Sequence, residues 1–287
     1  FCFFYIYNMN TLYADTSFKI SQITTQAYST SFSIAVSYLA KDMQRAIYSI
    51  YGFVRFADEI VDTFLEYNQK KILNDFERDL YEALEQKISL NPILNSFVIT
   101  VHRYNIPVSL INSFLDSMKA DLHKTDYNNA EELDQYIYGS ADVVGLMCLY
   151  VFTNGDKVAY DELEFSAKKL GSAFQKVNFL RDLKSDIELL NRQYFPGFSY
   201  KEFDEEKKLQ IVNSIIQDFE EAKIGLKKLP KDARLAVYIA YTYYLELLKK
   251  IQKKPASQIL SSRIRLHGFK KIMLLAKALV LNSCNLI

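Results

Sequence analysis

Helical periodicity with almost nothing to interrupt it is the strongest constraint on this chain. Apolar residues recur at three- and four-residue intervals over long stretches. The 287 residues include only 8 Gly and 5 Pro, about half the usual share of each. So few turn formers leave long, continuous elements. The pattern predicts helices over residues 29–42, 44–68, 69–87, 92–104, 107–122, 130–139, 143–152, 160–191, 201–228 and 231–253, with a final pair after Pro255. Pro107 suits a first helical turn, and Pro230 and Pro255 mark boundaries. With 49% hydrophobic residues a large core is available. The expected architecture is all-α: a single helical bundle around a central apolar cavity, over 29–287, preceded by an N-terminal segment, 1–28. Residues 1–8 need not be native, since Met9 is a candidate start.

Charge and cysteine content narrow the function classes. The formal net charge is +1, so no bulk attraction to nucleic acid or anionic lipid is expected. Cys2, Cys148 and Cys284 are odd in number and far apart, which fits a reducing cytoplasm rather than a disulfide framework. The opening FCFFYIY is too short to span a bilayer. The apolar tail from Ile272 is broken by Lys277, Asn282 and Asn285, and reads as a last helix packed into the core. KEFDEEKKLQ at 201–210 reads as a solvated face.

Within FVRFADEIVDTF (53–64), Asp58 and Asp62 lie at i and i+4, one helical face, with Arg55 a turn earlier and Glu59 beside them. About 120 residues later, GSAFQKVNFLRDLKSD (171–186) repeats the arrangement. Asn178, Asp182 and Asp186 fall at i, i+4 and i+8, with Gln175 and Arg181 near the same face. Surface ion pairing accounts for one such stripe, but two stripes embedded in apolar residues need compensating cations. Hard oxygen ligands suit magnesium, which binds a few carboxylates together with phosphate oxygens. A di-iron bundle requires Glu-x-x-His, whereas His102, His123 and His267 follow Ile99, Ala120 and Ile264 at that spacing. Interleaved arginines suit phosphate oxygens. The expected ligand is therefore a magnesium-bound diphosphate with an apolar tail.

These residues resemble the squalene/phytoene synthase family, the head-to-head prenyl transferases, and most resemble a bacterial phytoene synthase. The likeness runs from about Ser29 to Lys271. It is carried by YSTSFSIA (28–35), IYGFVRFADEIVD (50–62), MKADL (118–122), YIYGSADVVGLM (136–147) and GSAFQKVNFLRDLKSDIELLNRQYFP (171–196), which ends in Arg-x-Tyr-x-Pro. The resemblance implies an isoprenoid-synthase helical fold. It implies that Asp58, Asp62, Asn178 and Asp182 hold magnesium, helped by Asp186, with manganese able to substitute. Arg55, Arg181, Gln175, Tyr51, Ser29, Ser31 and Tyr244 would contact diphosphate oxygens, with Arg263 or Arg265 contributing. Asp121 would face the same region, and Phe32, Tyr136, Ala141, Val144, Gly145 and Leu146 would line the prenyl channel. Asp142 departs from the family, where a small residue is usual, and leaves the local backbone path open.

The implied reaction is 1-1′ condensation of two allylic diphosphates through a cyclopropyl diphosphate, most readily two geranylgeranyl diphosphates giving phytoene for carotenoid biosynthesis. Squalene or dehydrosqualene formation from farnesyl diphosphate is the alternative, with NADPH needed only for squalene. Some family members are non-catalytic assembly factors that have lost motif aspartates; here Asp58, Asp62, Asn178 and Asp182 are all present. A head-to-tail transferase would carry DDxxD, which neither motif matches as well. Prenyl diphosphates are the expected partners, in the cytoplasm, with weak membrane association suited to a hydrocarbon product. The oligomeric state is not readable.

Overall fold

The computed structural model describes residues 2–197 and 202–287, with side chains from Thr11 onward. The start expected for a helix at Lys201 and the side chains of FCFFYIY, Cys2 included, lie outside the described residues. The elements are α1 (Cys2–Tyr28), α2 (Thr30–Val36), α3 (Lys41–Asp62), α4 (Gln69–Gln86), α5 (Pro92–Tyr104), α6 (Val108–Asp121), α7 (Ala130–Ile137), a π-helical turn (Tyr138–Asp142), α8 (Val143–Phe152), α9 (Lys157–Leu190), α10 (Glu205–Leu226), α11 (Lys231–Gln252), α12 (Ala256–Ser261) and α13 (Gly268–Ser283). No strand occurs among the described residues; one isolated bridge joins Asp126 to Gln193.

Asparagine and aspartate supply the punctuation that glycine usually provides. The side chains of Asn68, Asn91, Asn129, Asp156 and Asp204 cap α4, α5, α7, α9 and α10 by accepting backbone N–H bonds, offsetting the unpaired donors of a first turn. Asn105 and Asn191 take the left-handed conformation that ends α5 and α9, a role asparagine fills when glycine is absent.

The core is divided. One cluster joins α3, α4, α5, α6 and α8, with Phe53 stacked on Phe97 at 4.0 Å. A second joins α9, α10, α11 and α12. Between them stand half-buried apolar residues from several helices, among them Phe32, Val54, Val144, Phe174, Val237 and Tyr244. In a solid core these side chains would be fully covered. Their partial exposure in helix interiors argues for a hollow between the clusters, along α9, which is about 50 Å long at 1.5 Å per residue; two further cavities are lined by Asp121, His123, Leu190 and Arg192 and by Ser117, Lys124, Tyr136 and Gly139.

Several expectations are corrected. The helix expected over 29–42 is short, ending at Val36, and α3 starts afresh at Lys41. Pro107 is the residue before α6 rather than its first turn. Residues 2–28 form a helix that no apolar stripe announces. Its contact seam is small and polar: Ser17, Ser21 and Thr25 are fully buried, Ser21 hydrogen-bonds Ser96 at 2.7 Å, and Asn95 donates to Ser17 at 3.0 Å. These short side chains let α1 lie close to α3 and α5. The last helix, expected in the core, packs only one edge onto α2 and α11: Ala278 is buried, whereas Phe269, Ile272 and Val280 are 75%, 65% and 62% exposed.

At Asp142 the helix widens into the π turn. Gly171 on α9 permits close approach there, since a Cβ at that position would meet Ala141 O and Asp142 Cα, both at 3.0 Å. Asp142 is buried and accepts a bond from Ser172 Oγ at 2.8 Å. Burial pushes its carboxyl up to about 7. The unfolded chain ionises this group near 3.8 and the folded chain near 7, so stability should fall as pH rises between those values and level off above them. Asp142→Asn keeps the bond from Ser172 and removes the penalty. Denaturant titration should find the variant more stable than wild type by about 2–4 kcal/mol at neutral pH, with the difference vanishing near pH ~4; a pH-independent difference would show that Asp142 is ionised in the fold.

Candidate active site

Two helices line the hollow with acids. On α3, Tyr51, Val54, Arg55, Asp58, Glu59 and Asp62 are half-buried, while Phe53, Ala57, Ile60 and Val61 behind them are core. On α9, Gln175, Asn178, Arg181, Asp182 and Asp186 are half-buried, with Ala173, Val177, Leu180 and Leu183 behind. The helical period thus puts one face into the core and the other into the hollow.

The stripes meet electrostatically. Burial pushes the Asp58 carboxyl up to about 7, and the nearby charge of Asp62 adds to this. Burial does the same to Asp186, also to about 7, helped by Asp182 and by Asp62 across the gap. Asp121, at the end of α6, is buried and again raised to about 7, against the lowering influence of Arg192. Tyr51, whose hydroxyl burial pushes up to about 12, feels Tyr244 of α11 and stacks on Phe32 of α2 at 5.2 Å.

Arginines supply the countercharge. Arg55 donates to Asp58 at 2.7 Å and to Glu59, and lies over the Tyr28 ring at 4.3 Å. Arg181 pairs with Asp182 at 2.5 Å and feels the nearby Tyr244, which stacks on Phe174 at 4.0 Å. Arg263 reaches Asp182 at 2.6 Å. Arg265 is exposed and makes no ion pair among the described residues, so of these two candidates only Arg263 touches the stripes.

Arg192, the arginine of the Arg-x-Tyr-x-Pro run and absent from the sequence-based candidates, is the most buried cation at the site. It donates to Asp62 at 2.7 Å and to Asp121 O at 3.0 Å, joining the ends of α9, α3 and α6. Its signal was the end of α9 at Asn191, which turns the chain back toward the acids. The remaining candidates scatter more widely. Ser29 and Ser31 flank the start of α2 and are half-buried. Gln175 Nε2 lies 3.5 Å from Ser140 Oγ. Ala141, Val144 and Gly145 are half-buried, but Leu146 belongs to the core. Tyr136 is buried in a stack with Phe179, Tyr194 and Tyr127 and donates to Asp121 Oδ2 at 3.1 Å. It supports an acid and also borders a cavity with Ser117, Lys124 and Gly139.

Do these groups fit divalent ions? Asn178 Oδ1 and Asp121 Oδ1 are buried without a hydrogen-bond partner, and Arg192 stands 4.0 Å from the latter. Buried oxygens left unpaired, beside carboxylates raised by burial and further by their neighbours' charge, mark a deficit of positive charge. Among the described residues no three His, Cys, Asp or Glu converge closely enough to hold an ion alone. Unpaired hard oxygens beside carboxylates are the donor chemistry of magnesium, which takes few protein carboxylates and completes its shell with water and substrate phosphate. Asp58, Asp62, Asn178, Asp182 and Asp186 have the right chemistry to hold it.

Arg192→Gln leaves Asp62 and Asp121 facing each other with less compensation. It should cost about 2–4 kcal/mol in denaturant unfolding, since removing one partner strands a buried charge, and added magnesium should restore part of the loss. A variant as stable as wild type would mean that Arg192 is not the countercharge.

The family model described as squalene/phytoene synthase matches residues 25–270. "Phytoene synthase 1, chloroplastic" of Zea mays is 27% identical over 253 residues, covering 79% of this chain; the chain spans only 59% of that protein's length. "Phytoene synthase" of Arthrospira platensis is 26% identical over 287 residues, covering 91% of this chain and 92% of that one. A crystal structure of a dehydrosqualene synthase in complex with ligand shares the fold with a TM-score of 0.81 at 22% identity, covering 94% of this chain and 98% of that one.

Proposed function

This chain belongs to the squalene/phytoene synthase family of prenyl transferases, and from that premise we propose that it joins two allylic prenyl diphosphates head to head, 1-1′, with release of diphosphate. The substrate we favour is geranylgeranyl diphosphate and the product phytoene, in carotenoid biosynthesis. The curated relatives bearing the name phytoene synthase support this choice. Squalene or dehydrosqualene from farnesyl diphosphate is the alternative product, with NADPH as hydride donor for squalene only.

One observation carries the reading: two acid stripes share one hollow whose positive charge is incomplete. In this proposal Asp58 and Asp62 of α3 and Asn178, Asp182 and Asp186 of α9 bind magnesium. Magnesium held by these residues would supply Lewis-acid stabilisation of the departing diphosphate. Arg55 and Arg181 then turn from their carboxylates to the diphosphate oxygens, where charge develops. Tyr51, Tyr244, Gln175, Ser29 and Ser31 orient the same group, and Arg263 closes over it. The double bond of the second substrate attacks the allylic carbon, and loss of a proton to a phosphate oxygen closes the cyclopropyl ring. A second C–O cleavage and rearrangement give the linear product, by proton loss or by hydride addition. Phe32, Val144, Ala141 and Gly145 keep water from the cations. The faces of Phe32 and Tyr51 add cation–π stabilisation.

A non-catalytic assembly role is the rival of another class, and it is disfavoured because every motif acid is retained. We place the activity in the cytoplasm, at a membrane surface that receives the hydrocarbon. No helix among the described residues is long and apolar enough to cross a membrane.

Two experiments test the proposal. Asp58→Ala and Asp182→Ala should each abolish product while circular dichroism keeps its helical signal, and EDTA should do likewise to wild type until magnesium is restored; turnover in either variant refutes the metal assignment. Organic extracts of purified protein given C20 or C15 diphosphate, with and without NADPH, should contain phytoene from the C20 substrate alone. Squalene or dehydrosqualene instead would move the chain to the C15 reaction, and no hydrocarbon from either would favour the assembly role.

A further inference from the structure

The near-neutral net charge conceals an uneven distribution. The last 41 residues, from Leu247 on, hold nine of the chain's 35 Lys and Arg and none of its 34 Asp and Glu. The 26 bases before them face all 34 acids. This basic segment contains α13, which is apolar on both sides. Ala278, with Leu274 and Leu275 beside it, joins a cluster with Ile239 and Tyr243 of α11, Ala35 of α2 and Tyr38 just beyond α2. The opposite side carries Phe269, Ile272, Met273, Ala276 and Val280, spaced to form one continuous stripe. Phe269, Ile272 and Val280 are each more than 60% exposed. Lys277 borders that stripe and is exposed, and Lys277, Lys271 and Arg265 make no ion pair among the described residues.

A helix apolar all round is normally buried on all sides, and a contiguous exposed apolar stripe marks a contact surface. Which contact is decided by charge. Lys270 pairs with Glu246 of α11 and Arg263 with Asp182, which leaves Arg265, Lys271 and Lys277 as the cations beside the apolar stripe that match a surface apolar within and negative at its boundary. We infer that α13 is an interfacial helix that lies in the face of an anionic bilayer, with Phe269, Ile272, Met273 and Val280 among the acyl chains and the surrounding lysines and arginines at the headgroups. The helix does not span the membrane. The placement has a functional consequence. Ala278 of α13 shares a cluster with Ile239 and Tyr243 of α11 and Ala35 of α2, and α2 also presents Phe32 to Tyr51 of α3. The loop entering α13 carries Arg263, which touches Asp182. Docking α13 therefore sets the bilayer one helix away from the chamber. This deepens the membrane contact proposed above and rests on that reading for its purpose, though not for its chemistry.

The test uses the intact chain and sedimentation with vesicles of phosphatidylcholine alone or mixed with phosphatidylglycerol. Wild type should bind the anionic vesicles, prefer them to neutral ones, and release as salt rises. Ile272→Glu with Val280→Glu should weaken binding by at least about tenfold with helical content unchanged, because both side chains are exposed. The same variant should still convert detergent-dispersed prenyl diphosphate. Absence of anionic-vesicle binding, or binding indifferent to the double substitution, overturns the inference. So does concentration-dependent dimerisation of wild type that the substitutions abolish without any vesicle binding, which would give the stripe to a second copy. Vesicle binding by a protein that makes no hydrocarbon would leave the docking surface standing and remove the catalytic reading.

Discussion

Carboxylates crowded into a partly dry space repel one another, and the rest of the structure is arranged around that repulsion. Asp58, Asp62, Asp121, Asp182 and Asp186 lie on three helices that converge on one hollow, and three of them are raised to about 7 with burial as the leading cause. Without ions, the only compensation is guanidinium. Each acid stripe accordingly has an arginine in its own helix, Arg55 or Arg181, and a second supplied from elsewhere in the chain, Arg192 or Arg263. Surface pairing of Arg55 with its neighbours, the plain interpretation of one stripe, does occur. Its existence does not remove the case for a site, since Asn178 Oδ1 and Asp121 Oδ1 remain unpaired after every arginine has been placed.

The hollow is a consequence of the same chemistry. Helices that present acids on one side cannot close on one another as apolar ridges into grooves would. The apolar core therefore forms on either side of the gap, as two clusters rather than one. Where α9 does approach its neighbours closely, it does so through glycine. Gly171 accommodates the π turn at Ala141 and Asp142, and Gly145 on α8 leaves room for Ala167 O at 3.2 Å. Such π turns recur near functional sites because they re-aim side chains without ending the helix. Here the turn leaves Ala141 and Val144 half-buried at the hollow while Val143 and Leu146 are core.

What the sequence made legible follows the physics of each signal. The 3.6 period located α4, α5, α8 and α11 to within a residue or so, because their buried faces are simply apolar. It missed α1, whose seam of Ser17, Ser21 and Thr25 carries no hydrophobic contrast. It also placed α13 in the core, because periodicity reports how apolar a face is and not whether anything covers it. Within the candidate site, i,i+4 spacing gathered each stripe correctly onto one face. It could not pair the stripes with their long-range arginines. Arg192 and Asp62 are 130 positions apart, and only the αL turn at Asn191 hints that the chain doubles back. The motif points Tyr136 and Leu146 to the wall; Tyr136 donates to Asp121 and borders a cavity, whereas the Leu146 side chain is core. A motif names a neighbourhood, whereas rotamer and burial decide what faces the cavity.

The four arginines differ in how freely they can leave their acids, and this difference orders their roles. Arg263 is 49% exposed, Arg55 26% and Arg181 23%, whereas Arg192 is 5% exposed. Arg192 is also fixed from behind. It donates to Asp121 O, and the segment carrying it is pinned where Gln193 N donates to Thr125 O at 2.6 Å beside the Asp126 bridge. An arginine so held cannot follow a ligand, so its charge stays with Asp62 and Asp121 whatever binds. The other three sit on accessible side chains whose partners are the very acids proposed to take magnesium. On the proposed reading, ions that neutralised those acids would release the long flexible stems of Arg55, Arg181 and Arg263 toward a phosphate group at little cost. One fixed cation would then hold the empty acid-lined chamber together, and three movable ones would make it complementary to a diphosphate.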